Sequence, residues 1–260
     1  MGDVTLERVH RHLNSSRYGR SLELKRETGS TNDDARTAAL AGAVDGHTVV
    51  AETQAQGRGS RGRAWVSPAG SDLYLSIVAH VPLTLGQLPP LTLAVGLAVA
   101  ETAEAFLSTG RRAAVKWPND VWIDRRKCAG ILVESVSFGQ STQPVVIGIG
   151  FNVNRRVFPE GLDTDPTSLA LAGSLQEDLD RALVLATLLE HVERWVDRFV
   201  NQGPAPVVRA LEQRLALRGE EARCDEHVGV VSGVSPEGAL LLRTPGGMRT
   251  VVSGTLRPLR

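Results

Sequence analysis

Short apolar segments separated by polar turns run from residue 112 to residue 152 and limit the folds open to this chain. The four segments read RAAVKW, DVWID, CAGILVESVS and PVVIGIGFN. Short polar turns between such segments are typical of β-hairpins. Three earlier segments of the same character, SLELKRE, HTVVAET and LYLSIVAH, add further predicted strands. The sequence therefore predicts a largely antiparallel or mixed sheet.

Longer segments with helical character surround these strands. The helices are predicted at residues 4–13, from Ser30 or Thr31 to about Leu40, and at 86–107, 178–201 and 204–216. Ser30 or Thr31 would cap the second helix, and two aspartates follow in its first turn, where carboxylates favour the helix dipole. After Gly219 the chain changes to short strands and turns. We therefore expect an α+β fold, with a sheet packed with helices over 1–216 and a small β-barrel over 217–260.

Composition excludes several classes of protein. Of 260 residues, 42% are hydrophobic and 22% charged, and 29 basic residues balance 29 acidic ones, which argues against a broadly basic nucleic-acid surface. The longest apolar run, at 91–100, is shorter than the roughly 20 residues that span a membrane. The charged N-terminus does not resemble a signal peptide. Cys128 and Cys224 form neither a disulfide framework nor a metal-binding pattern. We expect a cytoplasmic protein that binds neither DNA nor membranes.

Three arginines cluster in the segment GRGSRGRAW at 57–65, although the chain has no net charge. The glycines match the letters of the G-x-G-x-x-G fingerprint, but the following AWVSPAG offers no helix N-terminus, which that fingerprint requires. An anion here would be held by the arginines and by backbone N–H groups exposed at the glycines. From this segment alone, a solvated surface loop is an equally good interpretation.

Further motifs favour the anion interpretation. KWPND at 116–120 combines a lysine, a rigid Trp-Pro turn, an amide and a carboxylate, although an ordinary hairpin turn uses the same residues. Lys127 precedes CAGIL, in which Gly130 interrupts a strand, and IGIGFN repeats strand glycines before Asn152. Glycine within a strand marks close approach of a ligand or backbone, or simply relieves crowding. Together the motifs predict a slot for a flat apolar ligand beside a phosphate site.

In their order and spacing these motifs resemble those of the biotin–protein ligases. The matching segments are GSTNDDA (29–35), ETQAQGRGSRGRAW (52–65), KWPNDVW (116–122), RRKCAGILVE (125–134) and IGIGFNVN (147–154). The resemblance implies a catalytic domain related to lipoate ligases, followed by an SH3-like barrel. It also implies that biotin and ATP are joined into biotinyl-5′-AMP and pyrophosphate with Mg²⁺. Biotin would then pass to one lysine of a biotin carboxyl carrier protein, the carrier domain of a biotin-dependent carboxylase.

The resemblance also assigns residues to each ligand. Biotin would be bound by Ser30, Thr31, Asn32, Gln54, Arg58, Gly59, Ser60, Trp65, Lys127 and Gly130. ATP and the adenylate would be bound by Arg58, Arg61, Arg63, Lys116, Asn119, Lys127 and Asn152. Lys127, Arg58 and Asp120 would be catalytic, with Lys127 between the biotin carboxylate and the α-phosphate. Such cations would screen the repulsion between two reacting anions.

Asp120 has three roles open to it. It would orient or deprotonate the carrier's lysine, bind Mg²⁺ as carboxylates do, or only accept N–H groups of its turn. The transfer role is the one we favour from the sequence.

The sequence departs from the family pattern at two places. Many relatives have arginine at the position of Ser60. Some also carry an N-terminal winged helix, whereas about twenty residues precede the first predicted strand here, so we expect no repressor role. Two alternatives stay open: a lipoate or octanoyl transferase of the same superfamily, and a biotin-responsive DNA-binding regulator. A homodimer is compatible with the resemblance.

Overall fold

The computed structural model describes residues 4–136 and 144–259. The helices are α1 (Leu6–His12), α2 (Thr31–Leu40), α3 (Leu88–Ala105), α4 (Leu169–Gly173), α5 (Arg181–Gln202) and α6 (Ala205–Arg214). The first seven strands are β1 (Leu22–Lys25), β2 (Thr48–Ala51), β3 (Leu73–Ala79), β4 (Ala113–Lys116), β5 (Asp120–Ile123), β6 (Arg126–Ser135) and β7 (Val145–Phe151). The last five are β8 (Glu221–Cys224), β9 (His227–Val234), β10 (Leu240–Thr244), β11 (Gly247–Val251) and β12 (Leu256–Pro258). Residue 137, at the end of the predicted strand CAGILVESVS, lies outside the described residues. The same is true of residues 1–3 of the first predicted domain and residue 260 of the second.

The first seven strands form one mixed sheet in the order β1-β2-β3-β7-β6-β5-β4. The β1–β2 pair is parallel, with α2 between the two strands along the chain, and every other neighbouring pair is antiparallel. This confirms the predicted α+β class and the predicted sheet. The hairpins predicted between 112 and 152 are the run β4-β5-β6-β7, in which each strand pairs with the next.

The two faces of this sheet differ, as strand β7 shows. Side chains alternate between the faces of a strand. One set, Val145, Ile147, Ile149 and Phe151, lies in the main core, which also contains much of α3 and α5. The alternate set is Val146, Gly148 and Gly150, of which Val146 packs in a small cluster with Ala35 and Ala39 of α2. The two glycines leave room above the sheet beside α2, and this room becomes the candidate site.

The helices cover the sheet according to their composition. Helix α3 is apolar on nearly all sides, because it packs on β4, β5 and β6 and is covered in turn by α5. Pro89 and Pro90 lie in its first turn, where a missing N–H costs no helical hydrogen bond. A separate short turn, Leu85–Gln87, precedes it, so α3 begins two residues later than predicted. No helix within 4–136 or 144–259 has the length and apolarity needed to cross a membrane.

Helix α2 begins without the cap that the sequence predicts. Ser30 is the residue before the helix, but its side chain makes no capping hydrogen bond. The N–H of Thr31 instead donates to Oε1 of Gln54, at 2.9 Å. A side chain from the loop after β2 therefore satisfies one of the free N–H groups at the start of the helix.

The C-terminal strands form a second, antiparallel sheet in the order β11-β10-β9-β8-β12. The short strands predicted after Gly219 are confirmed, while β12 and the short helix α4 were not predicted. The two sheets are in contact: Trp117 Nε1 donates to the carbonyl of Gly238 at 2.9 Å, and Arg125 pairs with Glu220 at 2.9 Å. The SH3-like barrel and the domain boundary at 216/217 stay predictions.

Candidate active site

A cavity of about 330 Å³ lies on the α2 face of the first sheet, between the arginine segment 57–65 and the polar loop 154–166. We call it the first cavity. The predicted site residues that line it are Ser30, Thr31, Asn32, Gln54, Arg58, Gly59, Ser60, Arg63, Trp65, Asn119, Lys127, Gly130 and Asn152. The remaining three predicted residues, Arg61, Lys116 and Asp120, do not line it. The structure therefore brings together most of the residues that the sequence selected from five separate segments.

One end of the first cavity is polar but uncharged. Gln54 Oε1 accepts hydrogen bonds from the N–H and the hydroxyl of Thr31, at 2.9 and 3.1 Å. Gln54 Nε2 donates to Ser67 Oγ, at 3.0 Å. These bonds fix the amide, so that its orientation is set before a ligand enters. This end suits a neutral ligand group with several hydrogen-bonding atoms.

Two residues that the sequence analysis missed support this end. Ser76 Oγ lies 2.6 Å from Asn32 Oδ1 and 2.8 Å from Thr31 Oγ1. Asn32 Nδ2 donates to Glu134 Oε2, at 2.7 Å. The signal for Ser76 was present, since it is the one serine in the apolar strand β3, directly opposite Gly148 in the sheet. Glu134 had no local signal, because only the pairing of β6 with β7 brings it near α2.

The strand glycines form the floor of the first cavity. A Cβ on Gly148 would overlap the amide of Asn32, and one on Gly150 would overlap the indole of Trp65. A Cβ on Gly130, which is paired with Gly150, would lie 2.8 Å from Cζ3 of the same indole. The sequence predicted close approach to these glycines. In this structure the approaching groups are two side chains of the site itself.

Trp65 lies over this floor. The Lys127 ammonium is 5.2 Å from the centre of its ring, a distance at which a cation is attracted to the aromatic face. The indole Nε1 is buried and has no hydrogen-bond acceptor in the described part of the chain. A buried N–H without an acceptor is costly, so an acceptor atom on a ligand would be favoured here.

Asp120 lies between the ammonium groups of two lysines. Its Oδ1 is 2.6 Å from Lys127 Nζ, and its Oδ2 is 3.4 Å from Lys116 Nζ. The register of the sheet produces this arrangement, because Asp120 pairs with Lys116 of β4 on one side and with Gly130 of β6 on the other. The Asp120 side chain is 2% exposed, against 18% for Lys127. The carboxylate thus fixes Lys127 and leaves the ammonium at the cavity wall.

The burial and the pairing of Asp120 argue against two of the roles considered for it. A carboxylate that is 2% exposed has almost no surface that the amine of another protein could contact. It is also a poor ligand for Mg²⁺, because a divalent cation would have to displace two ammonium groups from it. Within 4–136 and 144–259 there is no group of three or more His, Cys, Asp or Glu side chains that could hold a metal ion. We therefore derive no step through a protein-bound metal.

A second cavity of about 330 Å³ adjoins the first. Arg61 and Lys116 line it, and its apolar walls come from the start of α3, the Trp117–Pro118 turn and the C-terminal sheet. Burial lowers the pKa of Lys116, the positive charges of Lys127 and Arg63 lower it further, and Asp120 opposes both effects. Five residues line both cavities: Ser60, Arg63, Asn119, Ile131 and Leu132. Two predicted cations outside the first cavity thus lie in a neighbouring space that suits an anion.

Comparison with known proteins identifies the family of this chain. The family model described as "Biotin/lipoate A/B protein ligase family" matches residues 27–152, a span that contains every predicted site residue. The chain is 31% identical over 261 residues to the bifunctional ligase/repressor BirA of Bacillus spizizenii, covering 98% of this chain and 79% of that protein. The chain belongs to the biotin/lipoate A/B protein ligase family.

Two further proteins show how closely the chain follows biotin-specific members of the family. It is 33% identical over 249 residues to the biotin–[acetyl-CoA-carboxylase] ligase of Mycobacterium tuberculosis, covering 93% of this chain and 90% of that enzyme. The solved structure of the biotin protein ligase from Aquifex aeolicus in complex with biotin and ATP has a TM-score of 0.79 and 29% identity, covering 92% of this chain and 100% of that one.

Within this ligase-family fold, the arginine segment forms a short ordered turn. Residues 60–62 make a single helical turn in which Arg61 has φ 59° and Gly62 φ 71°, and the Gly59 N–H donates to the Arg63 carbonyl at 2.7 Å. Arg58 donates to both oxygens of Asp33 on α2, at 2.5 and 2.7 Å. The segment is thereby held on the first turn of α2, the same turn that carries the uncharged polar residues.

The other arginines of the turn point elsewhere. Arg61 donates to Thr255 Oγ1 at 3.0 Å and contacts Asp225 Oδ2 at 3.4 Å, both in the C-terminal sheet. Arg63 bends back over Ser60 and lines both cavities. The three arginines of this ligase-family loop therefore have three separate environments, which their positions in the sequence do not reveal.

Two amides of the site serve the backbone. Asn119 Nδ2 donates to the Ile131 carbonyl at 2.8 Å, and Asn152 Nδ2 donates to the Thr167 carbonyl at 2.9 Å. Arg155 also lines the first cavity, and the sequence analysis missed it. Its guanidinium pairs with the buried Asp72 at 2.6 Å and donates to the Val66 carbonyl at 2.9 Å. Arg155 thereby ties the polar loop to the segment that follows Trp65.

Proposed function

We propose that this chain is an ATP-dependent biotin protein ligase. It activates biotin as biotinyl-5′-AMP and transfers the biotinyl group to a lysine of a biotin carboxyl carrier protein. The names of the relatives support this proposal, since one is a biotin–[acetyl-CoA-carboxylase] ligase and a similar solved structure is a complex with biotin and ATP. The arrangement of the two cavities supports it independently.

The first cavity fits the parts of biotin in order. The ureido ring of biotin offers two N–H donors and one strong acceptor, which the uncharged end formed by Thr31, Asn32 and Gln54 can satisfy. The apolar tail would lie along the glycine floor beside Trp65, which must shift to admit it. The carboxylate at the end of the tail would then reach Lys127. There the negative carboxylate would pair with the Lys127 ammonium, which Asp120 already holds in place.

The second cavity fits the phosphates of ATP. Arg61 and Lys116 would face the β- and γ-phosphates, and Arg63, in the wall shared by both cavities, would face the α-phosphate. The biotin carboxylate oxygen attacks the α-phosphorus, the P–O bond to the β-phosphate breaks, and pyrophosphate leaves. Lys127 and the arginines reduce the repulsion between the two anions and stabilise charge that develops during transfer. Asn152 would lie near the adenine.

The second half-reaction transfers biotin to the carrier. The neutral amine of the carrier lysine attacks the acyl carbon of biotinyl-AMP, the bond to the phosphate oxygen breaks, and AMP leaves with its negative charge at the cations. Mg²⁺ would enter with ATP, bound mainly by phosphate oxygens and water, and we assign it no protein ligand. Assembly as a homodimer stays a prediction from the resemblance.

One observation carries this proposal: the first cavity has an uncharged hydrogen-bonding end and contains Lys127, and it shares a wall with a cation-rich second cavity. The test incubates the protein and ATP with biotin, lipoate or octanoate, in the presence of a biotin carboxyl carrier domain or a lipoyl domain. We expect the mass of the biotin carboxyl carrier domain to rise by one biotinyl group, while the mass of the lipoyl domain stays unchanged. AMP and pyrophosphate should appear as products. Lipoyl or octanoyl transfer in place of biotinyl transfer would overturn the proposal. A mobility-shift experiment with biotinyl-AMP and the protein's own promoter DNA tests the regulator alternative.

A further inference from the structure

The cations that line the two cavities differ in how far their charge is already neutralised. Five of the six described ones have a carboxylate oxygen within 3.4 Å. These pairs are Arg58 with Asp33, Arg61 with Asp225, Lys116 and Lys127 with Asp120, and Arg155 with Asp72. For Arg63, the nearest carboxylate in the described part of the chain is Asp163, 3.9 Å from Nη1. Arg63 therefore keeps the most charge available for an anionic ligand.

Ser60 holds the Arg63 guanidinium in place. Arg63 Nη2 donates to Ser60 Oγ at 3.0 Å, and Arg63 Nε donates to the Ser60 carbonyl at 3.2 Å. A hydroxyl and a carbonyl have no net charge, so they fix the direction of the guanidinium without neutralising it. Both residues lie in the wall that the two cavities share.

We propose that Ser60 is a positioning residue that fixes Arg63 at the junction of the two cavities, where Arg63 binds the α-phosphate of the nucleotide. This inference rests on the proposed function and assigns Ser60 to the phosphate side of the reaction, where the resemblance had placed it with biotin. A guanidinium that is already oriented loses less side-chain entropy on binding phosphate.

A double-mutant cycle tests the proposal with Ser60→Ala, Arg63→Ala and the double variant. We expect Ser60→Ala to raise the KM for ATP about five- to tenfold, in line with a lost hydrogen bond to a charged group. Its affinity for biotin, measured without ATP, should stay within about twofold of wild type. In the Arg63→Ala background, Ser60→Ala should have no further effect on the KM for ATP, because Ser60 acts through Arg63. Ser60→Thr, which keeps the hydroxyl, should behave as wild type.

Two results would overturn this role. Equal effects of Ser60→Ala with and without Arg63 would show that Ser60 acts independently. A loss of biotin affinity in Ser60→Ala as large as the loss for ATP would make Ser60 a biotin contact. Melting temperatures identify any variant that fails to fold. If Ser60→Ala does not fold, the comparison of Ser60→Thr with wild type still tests the role of the hydroxyl, because a KM for ATP that is raised in Ser60→Thr would contradict it. A wild-type protein that makes no biotinyl-AMP would refute the proposed function itself. If the wild type is active but the effects of Ser60→Ala and Arg63→Ala on the KM for ATP add in the double variant, only this inference is refuted.

Discussion

Lys127 shows at the scale of one residue how the protein prepares a charge for two anions. Its ammonium is fixed from behind by the Asp120 carboxylate and covered by the Trp65 ring, so that 18% of the side chain stays exposed. A point charge held in this way needs little rearrangement when the reactants arrive. Electrostatic catalysis depends on that property, because reorientation during the reaction would consume part of the stabilisation.

We predict that Lys127→Ala slows biotinyl-AMP formation by about 10²- to 10³-fold, since one preorganised group contributes about 3–4 kcal/mol in the transition state. Lys127→Arg should also be slow, because a planar fork does not replace a compact ammonium between an aspartate and a tryptophan ring. Pyrophosphate release is the measurement. Lys25→Ala is the matched control, since Lys25 pairs with Asp34 and Glu23 away from both cavities. Near-normal release from the Lys127 variants would remove this residue from the mechanism.

Asp120→Asn is predicted to impair both folding stability and adenylation. The substitution keeps the shape of the side chain but leaves two ammonium groups beside a neutral amide, and breaking a buried ion pair costs about 3–5 kcal/mol. The free energy of unfolding should fall by about that amount, and biotinyl-AMP formation should slow because Lys127 is no longer fixed. Asp124→Asn in the same hairpin is the control, because the ion pair that Asp124 forms among the described residues is an exposed one with Arg111. Normal adenylation with slow transfer alone would instead favour direct action on the carrier's amine.

At the scale of whole elements, strand β7 combines a core strand with a ligand-binding surface. Its inward side chains are large and apolar, while Gly148 and Gly150 on the other face leave space for side chains of the site. The antiparallel neighbours extend this arrangement, since Gly150 pairs with Gly130 of β6 and Gly148 with Ser76 of β3. A cavity floor is thus built into the sheet without a break in its hydrogen bonding.

We predict that Gly150→Ala weakens biotin binding at least tenfold while leaving the sheet intact. The added methyl group would project from the floor into the space that the Trp65 indole now fills, and that the biotin tail would fill once Trp65 has shifted. Calorimetric titration with biotin measures the effect. Gly233→Ala is the matched control, because Gly233 also lies in a strand, β9, and a Cβ there would have no atom within 4 Å. Unchanged biotin affinity in Gly150→Ala would show that the position of Trp65 over the glycines is irrelevant to binding.

For the molecule as a whole, the C-terminal sheet contributes to the site through contacts with the arginine turn. Arg61 reaches Thr255 and Asp225, and Asp225 Oδ1 accepts the Thr255 N–H at 3.0 Å. That N–H and the Arg61 guanidinium lower the pKa of Asp225, so the carboxylate stays charged at neutral pH. The second sheet thereby restrains the tip of a loop that lines both cavities.

We predict that Asp225→Asn raises the KM for ATP about two- to threefold and leaves the biotin affinity unchanged. The effect is small because exposed ion pairs contribute about 1 kcal/mol or less, and it should diminish further at high salt. Steady-state kinetics at two ionic strengths provide the measurement. Glu226→Gln on the same turn is the control, since Glu226 pairs with its neighbour His227 and with no arginine of the cavities in the described part of the chain. If the KM for ATP does not change in Asp225→Asn, the contact between Asp225 and Arg61 does not contribute to nucleotide binding.

Local patterns in the sequence were sufficient for the class of fold and for most of the site. Short apolar segments and short polar turns predicted the β4–β7 hairpins, and glycines within strands marked the cavity floor. The resemblance to a known family selected Lys127, Gln54 and Asn32, and all three line one cavity, although their roles stay predictions. The strands and turns could be predicted because each depends on a conformation that a few consecutive residues determine by themselves.

The sequence by itself determined most of the strands and helices, the cation-rich loop and the family motifs. Only the tertiary structure decided which groups face each other. The register of β4, β5 and β6 places Asp120 between Lys116 and Lys127, and the packing of the second sheet gives Arg61 a partner 164 residues away. The physical reason is that such contacts depend on how distant segments pack, and the same local pattern is compatible with many pairings.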